Sequence, residues 1–123
     1  KMEFSALKEC PLNPDLPVRP PLSTEHALDL STIFKMLAND TRLRILHALI
    51  RESELCVSEL TEVLGMRQQT VSNQLQKLAD RNIVQPKRNG NHIYYRIVDP
   101  CIHNLIDRGF CIMEESYDNK NNI

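Results

Sequence analysis

A chain of 123 residues with 15 Lys and Arg against 16 Asp and Glu, a formal net charge of -1, is long enough for one domain with tails and a modest core. No apolar run approaches the roughly 20 residues of a membrane-spanning helix, and the polar, then proline-rich N-terminus carries no pattern of a signal peptide. Cys10, Cys56, Cys101 and Cys111 are widely spaced and form no Cys-x-x-Cys pair, which argues against a disulfide framework and for reduced thiols in a cytoplasm.

Residues 1–22 hold Pro11, Pro14, Pro17, Pro20 and Pro21, which forbid a regular helix and favour an extended arm bearing Cys10. A domain over 23–117 follows, with a polar, fraying tail from Glu114 onward and residues 118–123 outside the domain. Ala27, Leu30, Ile33, Phe34 and Leu37 predict a first amphipathic helix with Ser23 or Thr24 as N-cap. Its apolar surface exceeds what one small domain needs, so packing against a partner helix is expected.

Asn39-Asp40-Thr41 ends that helix and caps a second one, in which Leu43, Ile45, Leu46, Leu49 and Ile50 supply core while Arg42 and Arg44 face outward. His47 is assigned no role. Two short helices joined by a tight turn come next: Val57, Leu60, Val63 and Leu64 form one apolar stripe, and Gly65 stops the helix. Cys56 begins it, where a buried small hydrophobe and a thiolate ligand are both open readings.

From Arg67 to Arg81, Val71, Leu75, Leu78 and Ala79 mark the buried side, while Gln68, Gln69, Thr70, Ser72, Asn73, Gln76 and Lys77 point elsewhere. That second face is polar but nearly uncharged. A merely solvated face is usually a mixture of Lys and Glu, whereas amides and hydroxyls both donate to and accept from base edges in a major groove. The helix-turn-helix places its second helix there.

Two β-prone runs, Ile83 to Arg88 and His92 to Val98, flank Asn89-Gly90-Asn91, and the Asn-Gly pair predicts a hairpin with a type I′ turn. From Gly65 to Val98 the bases Arg67, Lys77, Arg81, Lys87, Arg88 and Arg96 face the single acid Asp80. This local cationic excess is explained by phosphate contacts. Asp99-Pro100 then starts a last helix with Ile102, Leu105, Ile106, Phe110 and Met113 on its apolar side. Cys101 and Cys111, ten residues apart on it, are separated by about 15 Å and cannot share an ion within one straight helix. The fold class expected is mainly α: a winged helix-turn-helix of about five helices and a two-stranded β-hairpin.

Four stretches in uninterrupted order, Phe34 to Leu46, Glu54 to Leu60, Gln69 to Leu75 and Asn89 to Arg96, resemble the ArsR/SmtB family of bacterial transcriptional repressors. The resemblance implies a homodimer joined through its first and last helices, seated on a palindromic double-stranded operator and released by an inducer. Most such proteins respond to metal or metalloid ions, which implies Cd, Zn, Pb or As(III) as inducer. One implied ligand region is Glu54-Leu55-Cys56-Val57, where Cys56 and Glu59 match, Ser58 replaces a possible second cysteine, and Cys10 is the arm donor. The other is the last helix, where zinc sensors carry Asp, His, His and Glu. Asp99 and Glu115 match there, Cys101 and Ile112 replace the histidines, and Cys101 with Cys111, joined by His103, could form a softer site between protomers. In the recognition helix Asn73 and Arg67 stand where His and Ser are usual.

The alternative signal is reversible oxidation, pairing Cys101 with Cys111 or Cys10 with Cys56. An enzyme is not expected: there is no Gly-rich phosphate loop and no nucleophile with a recognisable base, and no small organic substrate is implied.

Overall fold

The structure, a computed structural model, describes residues 16–121, and their side chains through residue 116. Cys10 and most of the proline-rich arm lie outside the described residues. After a single 3-10 turn at Leu16–Val18 come α1 (Thr24–Leu37), α2 (Asp40–Glu52), β1 (Leu55–Cys56), α3 (Val57–Leu64), α4 (Gln68–Asp80), β2 (Val84–Asn89), β3 (His92–Ile97) and α5 (Pro100–Asn121).

Local signals set the boundaries. Ser23 Oγ accepts from the His26 N–H at 3.1 Å and Asn39 Oδ1 from the Arg42 N–H at 2.9 Å, so both helices begin at the residues that can cap them. Gly65 ends α3 at a φ of 64°, the left-handed conformation that costs glycine least. The α5 helix continues to Asn121, beyond the polar point where fraying is expected, because no proline or glycine follows Gly109 to stop it.

Two features of the wing differ from expectation. The sheet has three strands rather than two, in the order β1-β3-β2, with Leu55 opposite Tyr95 and Cys56 opposite Tyr94. The residues just before α3 are extended, and the inner edge of β3 satisfies their backbone groups. At the tip, Asn89 pairs with His92, so the two-residue loop is Gly90-Asn91. Positive φ falls on Gly90, at 66°, the first central residue, which is the pattern of a type II′ turn rather than the I′ turn that Asn-Gly predicts.

The core sits where α2, α3, α4 and the sheet meet. Ile45, Leu46, Leu49, Leu60, Val71, Leu75 and Leu78 are all fully enclosed. Two residues assigned to it from periodicity are outside: Val63 is 63% exposed and Leu43 39% exposed. An eight-residue helix needs only the Leu60 side to seat, and Val63 falls on its far edge. Arg42 and Arg44 do not simply face outward. The Arg42 guanidinium donates to the Met36 carbonyl oxygen at 2.6 Å and to Gln74 Oε1 at 2.8 Å, and Arg44 donates to the Leu64 carbonyl oxygen at 2.9 Å.

Candidate functional site

Two regions carry the candidate functional residues. The first is the outer face of α4 with the wing. Val71, Leu75 and Leu78 lock one side of α4 into the core, so helical geometry turns Gln68, Gln69, Asn73, Gln76 and Lys77 to the exterior, with Thr70 and Ser72 half-buried at its margins. Gln69 Nε2 donates to Asn73 Oδ1 and Gln76 Nε2 to Asp80 Oδ1, each at 2.9 Å. These two pairs set the amides out along the exposed face, and Asp80, the acid in this basic stretch, is occupied by Gln76 rather than projecting alone.

Arg67 and Arg81 bracket the helix as its N-cap and C-cap, both exposed. The register divides the wing cations. Gln85 is opposite Arg96 and Lys87 opposite Tyr94, so Lys87 and Arg96 lie on one face of the hairpin, with Arg88 on the other. The sequence lists them as one cationic group; the pleat makes them two.

The second region is built from thiols. Cys56 is buried, and its surroundings come from both sides of the chain. The Cys56 N–H donates to Glu59 Oε1 at 3.1 Å, and Cys56 Sγ lies 3.1 Å from Ser58 Oγ. Glu59 is held below the ordinary carboxylate range, first by the Cys56 N–H, then by the Cys56 side chain, with the charge of His92 adding a smaller pull against partial desolvation. Tyr94, opposite Cys56 in the sheet, is pushed up by desolvation and then by the negative environment of Glu59, Cys56 and Glu54. The start of α3 is thus an acidic, sulfur-bearing corner. Tyr94 and His92 belong to it because of the β1–β3 pairing, a contact between distant segments that no local pattern locates.

On α5 the half-buried Cys101 has its N–H on Asp99 Oδ1 at 2.9 Å, an arrangement that starts the helix, so Asp99 acts as a cap. Cys111 is exposed, with its Sγ 4.0 Å from Glu115 Oε1, and His103 is exposed. Among the described residues no three His, Cys, Asp or Glu side chains gather into a group able to hold a metal ion. Soft donors are present, but a complete ligand set requires groups from outside the described chain: Cys10, or a second copy. Within one chain, the roughly 15 Å between Cys101 and Cys111 exceeds the roughly 7 Å Cα limit for a disulfide.

The α5 helix also borders an uncovered apolar surface. Phe34 and Leu37 of α1 with Ala38 just after it, Leu43 and His47 of α2, and Leu105, Ile106, Phe110 and Met113 of α5 line a groove of about 470 Å³. The His47 and Phe110 rings meet there at 5.4 Å. Leu30, Ile33 and Phe34 are 42%, 48% and 48% exposed, so the apolar stripe predicted for the first helix is real and largely unburied in a single chain. Among the described residues, no helix is long and apolar enough to cross a membrane.

Comparison with known proteins agrees with this architecture. Residues 39–85 match the family model described as bacterial regulatory protein, arsR family. The chain is 35% identical over 86 residues to the cadmium resistance transcriptional regulatory protein CadC of Listeria innocua, covering 70% of this chain and 72% of that one. It is 38% identical over 82 residues to the arsenic resistance transcriptional regulator ArsR1 of Pseudomonas putida, covering 61% and 64%. Among solved structures, the AntR antimony-specific transcriptional repressor superposes with a TM-score of 0.77 at 50% identity, covering 89% of this chain and 98% of that one. With α4 and the wing in the arrangement such regulators share, the chain belongs to the arsR family of bacterial regulatory proteins, as a winged helix-turn-helix DNA-binding transcriptional repressor and not an enzyme.

Proposed function

We propose that this repressor works as a homodimer and leaves its operator when a thiophilic ion is held by Cys101 and Cys111 of two protomers, with trivalent antimony or arsenic the best-fitting inducer class. The observation that carries the reading is the position of these thiols on α5, the helix that also presents the open apolar groove. A second copy covering that groove brings a second α5, and with it the donors that one chain lacks. Cys101 heads the helical stripe Cys101, Leu105, Arg108 and Ile112, three of which reach the groove. Soft thiolate donors suit soft ions, and ligation displaces the thiol protons. The names of the relatives, which point to cadmium, arsenic and antimony, support an ion as signal.

Cys56 and Glu59 form the second candidate region, which Cys10 would have to complete. The Cys56 thiol already meets Ser58 Oγ and the Cys56 N–H already holds Glu59, so ion binding there has to displace Ser58 and re-aim the Glu59 carboxylate. For DNA, Gln68, Gln69, Thr70, Ser72, Asn73 and Gln76 are assigned to the major groove. Arg67, Lys77, Arg81, Lys87, Arg88 and Arg96 are assigned to phosphates and groove edges. By linkage, the factor by which the ion weakens DNA binding is the factor by which DNA weakens ion binding.

The test is a titration of reduced protein with Sb(III) and, separately, Cd(II), following sulfur-to-metal absorption while a labelled fragment of its own promoter reports release. Saturation at a fixed ion-to-dimer ratio with parallel release is expected, abolished by Cys101→Ser and by Cys111→Ser and retained by Cys56→Ser. Loss in Cys56→Ser alone would move the site to the start of α3. Neither absorption nor release with either ion would overturn ion sensing.

A further inference from the structure

We propose that Arg42 is a positioning residue that couples the α1–α5 face to the recognition helix through Gln74. Its guanidinium is a planar fork with donors on different nitrogens, and the structure uses two of them on different elements. Nε donates at 2.6 Å to the Met36 carbonyl oxygen, in the last turn of α1, and Nη1 donates at 2.8 Å to Gln74 Oε1, in the middle of α4. The acceptors are 6 and 32 residues away in the chain, and both are neutral oxygens. An arginine chosen for charge pairing would sit on a carboxylate. This one spans a joint.

Each end of the span bears on a different surface. Phe34, Leu37 and Ala38, which flank Met36, line the groove together with Leu105, Ile106 and Phe110 of α5, so a change in how α5 packs displaces the turn that holds the Met36 carbonyl. Gln74 is half-buried on the α2 side of α4, one residue from the exposed Asn73. A rotation of α4 about this anchor re-aims Asn73, Gln69 and Gln76 together, since Gln69 and Asn73 are hydrogen-bonded to each other. Charge-assisted bonds are short, directional and costly to leave unmade, so the fork transmits displacement of one acceptor to the other instead of stretching. Arg44, two residues on, fixes the Leu64 carbonyl at the end of α3. It holds the helix-turn-helix to α2 while Arg42 relays the state of α1.

The coupling part of this inference rests on the ion-release reading above; the linkage itself does not. The decisive variant is Gln74→Met, which keeps length and helix propensity, deletes the acceptor and leaves the Arg42–Met36 bond in place. Two measurements are made on the full-length dimer: operator affinity with and without saturating Sb(III), and amide hydrogen exchange at Ala38 and Asn39, whose N–H groups bond to Phe34 and Leu37 in the α1–α2 joint.

Couplings of this kind run at about 5–150-fold, and Gln74→Met is expected to reduce the Sb(III)-driven change in affinity to about twofold or less while Sb(III) stoichiometry stays as in the parent. Exchange at Ala38 and Asn39 should quicken, although the substitution lies in another helix. Gln74→Glu, which restores an acceptor, should recover both. Undiminished Sb(III) release in Gln74→Met, or unchanged exchange at the joint, would overturn the assignment. If the parent protein itself ignores Sb(III), the ion reading fails, and the exchange measurement still decides whether Arg42 links the two helices.

Discussion

The two functional faces of this molecule are finished to different degrees. The α4 face is complete in one chain: Val71, Leu75 and Leu78 are wholly enclosed, and the polar side chains they turn outward are ordered by the Gln69–Asn73 and Gln76–Asp80 bonds. The α1–α5 face is open, with Leu30, Ile33, Phe34, Phe110, Ile112 and Met113 all exposed around a groove that one chain does not fill. Contiguous apolar surface of this kind marks an interaction site. The difference teaches that the α4 face is finished within a single fold whereas the α1–α5 face is not, and an element without full packing has more than one arrangement close in free energy, which is why the proposed signal is placed there.

Four substitutions probe that contrast. Leu75→Ala, at a fully enclosed position beneath the recognition helix, should cost about 2–5 kcal/mol in chemical unfolding, by lost burial and the cavity left behind. On the open face, Phe110→Glu should leave circular dichroism nearly unchanged but weaken self-association by about 2 kcal/mol or more, about thirtyfold, in sedimentation equilibrium, as expected for an aromatic anchor at an interface. A folded Phe110→Glu dimer of parental affinity would mean that the groove is not where two copies meet.

Smaller effects belong to the polar side. Lys87→Gln should weaken binding to operator and unrelated DNA alike and reduce the slope of log affinity against log salt by about 0.9, the signature of one lost phosphate contact. An unchanged slope would remove Lys87 from the interface. At the start of α3, the folded pKa of Glu59 is depressed, so its contribution is complete above the unfolded value of about 4.3 and vanishes as pH falls through the lower folded value. The stability gap between the parent and Glu59→Gln should therefore narrow between pH 6 and pH 3. A gap independent of pH would show that the carboxylate is not charged where it meets the Cys56 N–H.

Much of this was legible from local pattern. The caps Ser23 and Asn39, the stop at Gly65 and the buried side of α4 are written in short-range chemistry, where one side chain or one missing Cβ decides the backbone within a turn. Misplacements occurred where a residue's neighbours come from far away. Val63 and Leu43 fit an apolar period yet are exposed, because periodicity names a stripe but not how much of it another element covers. Lys87 and Arg88 are adjacent cations in sequence and occupy opposite faces of the hairpin, because pleating separates them.

By itself, the sequence determined the mainly helical fold, the winged helix-turn-helix order and the polar, nearly uncharged character of the outer face of α4, since all three follow from side-chain periods and capping chemistry within a few residues. Only the tertiary structure decided that Leu55 and Cys56 add a third strand beside Tyr94, and that Arg42 joins Met36 to Gln74. It also decided that α5, the helix bearing Cys101 and Cys111, presents an uncovered groove. The physical reason is the same in each case: these are pairings between residues far apart in the chain, made when packing brings donors, acceptors and apolar faces within a few ångströms, and no local period encodes the partner.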